Sequence, residues 1–240
     1  MKFRLPEKSY ILYSIFSILL VRNSSSITLP SKSAKIFRSS HLRSINYYRS
    51  KHIYTKNLYV SRQLTQKSQE FAEYLADYQK TRRNVEHDPK LTPNQGLVGE
   101  NLFLDQASKY ELGLGNCRID ECRSFINSRS SKVRKYLNKL GKKAATNWYS
   151  TQKLYNYHST KCGRDRYQCE HFTQLVWRGT KYLGLGIAFN EDRDDPRFLM
   201  FYVVTRFSPR GNFVVKYHKE TFEDASLREY RDNVKRLIPK

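Results

Sequence analysis

The stretch from Tyr182 to Phe207 constrains the fold more than any other. In "YLGLGIAF" the large residues Leu183, Leu185, Ile187 and Phe189 fall on one side of a strand, and Gly184, Gly186 and Ala188 on the other, because successive strand side chains point to opposite faces. A side so bare lets a bulky element pack directly on the backbone. A few residues on, "RFLMFYVVTRF" is apolar at odd and even positions alike, the pattern of a central strand covered on both faces. "PRGNFVVKY" then reads as a turn and a further strand. With helical patterns earlier and strands later, the chain is expected to be α+β, a three-layer α-β-α sandwich around a central, mainly antiparallel sheet.

Two amphipathic stretches supply the helical layers. Leu64, Phe71, Tyr74, Leu75 and Tyr78 share one helical face, and a second helix is expected over Ala144 to Tyr157 with Trp148, Leu154 and Tyr155 inward. Residues 87–101, "HDPKLTPNQGLVGEN", carry two prolines and two glycines and read mostly as loop. At 240 residues one domain is the default, and 18 Tyr with 13 Phe provide enough apolar surface for a folded core. The body is expected to run from 45 to 218, preceded by a Ser-rich basic linker at 27–44 and followed by a charged, solvated tail at 219–240. Residues 1–26 have a basic head, a largely apolar block from Tyr10 to Val21 and small polar residues ending near Ser26. That pattern reads as a secretory signal peptide, too short for the roughly 20 apolar residues of a spanning helix.

Net charge is +22, and no Asp or Glu occurs from Lys8 to Gln69. Such an imbalance favours acidic partners, an anionic glycan or an anionic lipid surface, engaged through the basic segment before Arg62. No RNP-like, zinc-finger or helix-turn-helix pattern points to specific nucleic-acid recognition. The four cysteines, Cys117, Cys122, Cys162 and Cys169, allow three disulfide pairings. Disulfides are favoured over a four-thiolate zinc site, since neither close pair has zinc-knuckle spacing. They suit the oxidising compartment that a signal peptide implies.

Five segments in register resemble the CAP superfamily, which includes cysteine-rich secretory proteins, venom-allergen-like (SCP) proteins, antigen-five allergens and plant pathogenesis-related proteins. They are "NYYRSKH" (46–52), "LTQKSQEFAEYLA", "GENLF" (99–103), "HFTQLVW" (171–177) and "VVTRFSPRGN" (203–212). The resemblance covers about Ile45 to Tyr217. It implies a central cleft where two histidines and two acids converge and where the histidines can hold a divalent ion such as zinc. Carried over position by position, the cleft residues are His87, Glu100 and His171, with His87 and His171 as the metal-binding pair. The second acid falls at Thr151, in "NWYSTQ", where this chain has a hydroxyl instead.

That departure removes an anion that would orient a histidine or balance a metal's charge, and it weakens hydrolysis as a function. On the residues alone, His87 is an ordinary loop histidine, Glu100 could brace a loop through backbone amides, and His171 could serve packing at a helix start. No H-E-x-x-H pair supports zinc locally. The expectation is therefore a secreted, non-enzymatic binding module for a small lipid, a sterol or an extracellular protein. A metal-dependent hydrolase at the same cleft is the alternative, and polyanion binding by the basic arm a second.

Overall fold

The computed structural model describes residues 27–78, 85–91, 97–126, 129–163, 169–213 and 222–239. The expected signal peptide at 1–26 and the strand expected after the Pro209–Asn212 turn lie outside the described residues. A short strand β1 (Ile27–Thr28) leads into helix α1 (Ser31–Arg49), strand β2 (Tyr59–Val60) and helix α2 (Arg62–Tyr78). Strand β3 (Gly99–Ser108), helices α3 (Ile119–Phe125) and α4 (Ser131–Ser150) and a two-strand ribbon, β4 (Tyr155–Asn156) and β5 (Lys161–Cys162), follow. Helix α5 (Glu170–Val176), the long strands β6 (Tyr182–Glu191) and β7 (Phe198–Ser208), and helix α6 (Phe222–Asn233) complete the order.

The sheet runs β1-β6-β7-β3 with every pair antiparallel, and β2 adds to β6 in parallel. Its two faces are those anticipated from the alternation in β6. Leu183, Leu185, Ile187 and Phe189 point into the main core with Phe37, Leu140 and Phe172. The small residues face α2, whose Phe71, Ala72 and Leu75 form a second core with Ala188, Tyr202 and Val204. A methyl group on Gly184 would overlap the backbone of Leu64, and one on Gly186 that of Ser68. The bare face of β6 is thus the contact that lets α2 lie on the sheet.

Residues 27–44, expected as a linker, instead hold β1 and most of α1. The buried face of α1 is Ser33, Ala34, Phe37, Ser40, His41, Ile45 and Arg49. Small residues bring α1 close to α4, where the backbone of Phe37 and His41 rests on Gly141. The neutral ring of His41 is a buried pin. Its Nδ1 donates to the Gly141 carbonyl at 2.7 Å and its Nε2 accepts from the Thr205 hydroxyl at 3.0 Å. Burial pushes its pKa down to about 4.

The helix expected from Ala144 begins at Ser131, where the Ser130 hydroxyl accepts from the Val133 amide at 3.3 Å as an N-cap. Val133, Leu137, Leu140, Ala144 and Trp148 form its buried stripe. It ends at Ser150, so Tyr155 is buried from a strand and Leu154 stays largely exposed. In "NYYRSKH", Asn46 clamps Leu58 through both its backbone groups, and the buried Arg49 donates to the carbonyls of Lys56, Leu175 and Trp177 at 2.8, 2.8 and 3.0 Å. His52 binds the Lys235 carbonyl and the Tyr149 hydroxyl. The segment expected as a solvated tail is strapped to the body. Tyr230 stands edge-on to Trp177, the Ile53 amide donates to Arg236, and Leu237 bridges His52. The cysteines pair as Cys117–Cys122 and Cys162–Cys169, with Cα separations of 5.4 and 5.8 Å, which leaves no thiolate for zinc.

Candidate functional site

The site begins with β3, whose first residues read as loop in the sequence. Its pairing with β7 sets Glu100 directly opposite Arg206. Neighbouring strand residues face opposite ways, so Glu100 and Asn101 reach different sides of the sheet. Asn101 donates from its amide to the His171 carbonyl at 3.0 Å and fixes the start of α5. Trp148 donates from its indole to the Leu102 carbonyl at 2.9 Å and ties α4 to the same strand.

The Glu100 carboxylate is only 3% exposed, and its acceptors are used. Oε2 accepts from Arg206 Nε at 3.1 Å, and Oε1 accepts from the Asp88 amide at 3.1 Å and His87 Nδ1 at 3.0 Å. Arg206 also donates to Asp88 Oδ2 at 2.6 Å, while its guanidinium lies over the Phe71 ring at 5.4 Å. One cation thus holds two carboxylates in a buried, hydrogen-bonded pair. Because an ionised carboxylate can only accept, His87 must carry its proton on Nδ1 toward Glu100, and its neutral form keeps a lone pair on Nε2. The His87 side chain is 59% exposed, so the site opens to solvent there.

His171 lies on the first turn of α5 with its ring roughly parallel to Trp148, centroids 6.5 Å apart. Burial pushes its pKa down to about 4, and the charge of a protonated His87 lowers it further. His87 and Glu100 are therefore in direct contact, and His171 is within electrostatic reach of His87. Thr151, at the position of the missing acid, donates its hydroxyl to the Trp148 carbonyl at 3.1 Å and finishes α4. Among the described residues no group of three or more His, Cys, Asp or Glu side chains is arranged to hold a metal ion. With Glu100 and Asp88 both engaged by Arg206, the remaining donors are two imidazoles. Two imidazoles are too few for a three-ligand catalytic centre.

Sequence reasoning missed Asp88 and Arg206. The available signal was Arg206 itself, a charge inside a strand otherwise apolar on both faces, which needs a buried partner. The motifs also interlock in ways their spacing does not reveal. Gln174 accepts from the Gly211 amide at 2.9 Å, and a methyl on Gly99 would overlap its side-chain amide. Thr173 donates to Asn212 at 2.7 Å, and Asn212 donates to the Glu170 carbonyl at 2.8 Å. "GENL", "HFTQ" and "RGN" thus brace one another.

A mainly antiparallel sheet between helical layers, with a His/Glu site beside its edge strand and two short-range disulfides, defines a small disulfide-bonded α-β-α sandwich. Residues 42–207 match the family described as CAP: Cysteine-rich secretory protein family, and the chain belongs to that family. It is 34% identical over 70 residues to GLIPR1-like protein 1 of Homo sapiens, covering 29% of this chain and 27% of that protein. It is 36% identical over 74 residues to the Golgi-associated plant pathogenesis-related protein 1 of Homo sapiens, covering 31% and 42%. The matching stretches therefore span less than half the length of these relatives. Among solved structures, that described as NaASP2 with Zn2+ is similar at 18% identity and a TM-score of 0.46, over 78% of this chain and 86% of that one. Among the described residues no helix is long and apolar enough to cross a membrane.

Proposed function

We propose that this protein is an extracellular, non-enzymatic binding module whose ligand is a small lipid, a sterol or a partner protein. The observation that carries the choice of binding over turnover is the locked Glu100. Its carboxylate is ion-paired with Arg206 and bonded to the Asp88 amide, and the second acid position is a threonine finishing a helix. General acid–base hydrolysis needs a carboxylate or imidazole free to exchange a proton with a substrate or water. At this site that leaves the imidazoles of His87 and His171, without a free carboxylate to support them. Two disulfides favour an oxidising, extracellular setting, in keeping with a secretory family and with cleavage of residues 1–26.

The bare face of β6 is filled by α2, so a lipid would have to bind elsewhere than against those glycines. Equilibrium binding of labelled cholesterol and palmitate to the refolded protein tests the lipid form of the reading, with saturable binding of one expected. Saturable uptake of neither would leave only a protein partner. Zinc-dependent turnover of an ester or peptide substrate that disappears in His171→Ala would overturn the non-enzymatic reading.

A further inference from the structure

The acid-free part of the chain does not end at the first helix. Helix α1 contains five Lys and Arg and no Asp or Glu. Helix α4, far away in sequence, contains six and likewise no acid. The two pack side by side and run parallel, since Ser40 meets the Asn138 carbonyl and, a few turns on, the Tyr48 hydroxyl meets that of Thr146. Both lie on the same face of the sheet, so their outer sides form one surface.

On α4 the exposed cations Lys132, Lys135, Lys139 and Lys142 are spaced three and four residues apart, which aligns them in one row opposite the buried stripe. At 1.5 Å per residue the row is about 15 Å long. Lys32, Lys35 and Arg43 form a second exposed row on α1, about 16 Å long by the same rise. Among the described residues Lys143 is paired with Asp105 and Lys132 lies over Tyr110. Lys32, Lys35, Arg43, Lys135, Lys139 and Lys142 make no ion pair there.

We infer that the joint outer face of α1 and α4 binds a linear sulfated polysaccharide. Two parallel rows of unpaired cations on rigid helices complement a chain carrying repeated anions along its length. A membrane fits less well, because surface-bound helices pair their charges with apolar side chains that enter the lipid. Among the described residues, the exposed large hydrophobic side chains on or beside the face are two tyrosines, Tyr47 at the end of α1 and Tyr110 under Lys132, with no exposed large aliphatic side chain among residues 31–49 or 131–150. Nucleic acid fits less well because the disulfides favour a compartment outside the cytosol, although Tyr110, under Lys132, and Tyr47 are exposed beside the rows. This goes beyond the binding role proposed above and stands independently of it, since the face is separate from the His87 site.

The test is heparin binding by the full chain at several salt concentrations, comparing Lys135→Gln/Lys139→Gln/Lys142→Gln with a control of equal charge change at exposed lysines off the face, Lys56→Gln/Lys67→Gln/Lys181→Gln. Thermal melting of both triples checks that they fold. By counterion release, the face triple should weaken binding at least about tenfold and lower the log–log salt slope by about two to three, and the control should change affinity less than about threefold. Equal losses in both triples, undiminished binding to desulfated heparin, or tighter binding to phosphatidylserine vesicles or duplex DNA than to heparin at matched salt would each overturn the assignment.

Discussion

Arg206→Met tests whether the ion pair at the site is a structural necessity. In the parent protein the side chains of Arg206 and Glu100 are 5% and 3% exposed, and that of Asp88 is 12% exposed. Methionine keeps much of the aliphatic stem and removes the charge, its donors and the guanidinium's contact with the Phe71 ring. Two carboxylates then share a nearly dry space with no cation except a protonated His87. Removing one partner of a buried pair costs about 3–5 kcal/mol, because the other charge stays buried without compensation. For a domain of this size that corresponds to a fall in melting temperature of roughly 6–20 °C. Urea denaturation followed by circular dichroism at neutral pH measures it. Adding Glu100→Gln should recover part of the loss, with a coupling of about 1–3 kcal/mol in the double-mutant cycle. A single variant within about 1 kcal/mol of the parent would show that the pair behaves like an exposed salt bridge, and the reasoning that the site is locked would fail.

Further outcomes follow from the same contacts. His41 and His171, both with pKa values near 4, should titrate well below the usual imidazole range by NMR, and His87→Ala should raise His171 by removing a neighbouring charge. Because the folded state resists protons that the unfolded chain accepts below about pH 6.5, stability should fall as pH drops from 6.5 toward 4, by on the order of 3 kcal/mol per histidine once fully expressed. Denaturation midpoints measured across that range check the sign. Gly186→Ala should lose about 1–3 kcal/mol or more, since the new methyl meets the backbone of Ser68, and a melting curve unchanged from the parent would contradict the close packing of α2. Reducing the disulfides, which close loops with sequence separations of 5 and 7, should cost about 2 kcal/mol each, read as the shift in urea midpoint with and without reductant.

How much of this was legible in the sequence differs from element to element. Strands β6 and β7 announced themselves because burial on both faces leaves a continuous apolar pattern, and α2 showed an amphipathic stripe of which Leu64, Phe71 and Leu75 are buried while Tyr74 is exposed. Helix α1 was hidden because Phe37 and Ile45 are the only large apolar residues on its buried face, and the serines, alanine, histidine and arginine between them carry no hydrophobic period. The start of β3 was obscured by the Gly- and Pro-rich run before it, and the capped, lysine-rich first turns of α4 by their charge. His87 and Glu100 were legible through family resemblance alone, since their meeting depends on β3 carrying Glu100 toward the loop after α2. Arg206 and Asp88 were not, because the ion pair exists only once β3 and β7 are in register.

The last residues, held against Lys51, His52 and Ile53, bring the far end of the described chain onto the exit of its first long helix. A protease that trimmed the protein just beyond Asn233 would therefore strip away the carbonyl that anchors His52. Damage should spread inward from that corner, so C-terminal clipping would be felt first as loosening where the first long helix ends, near residues 51–53.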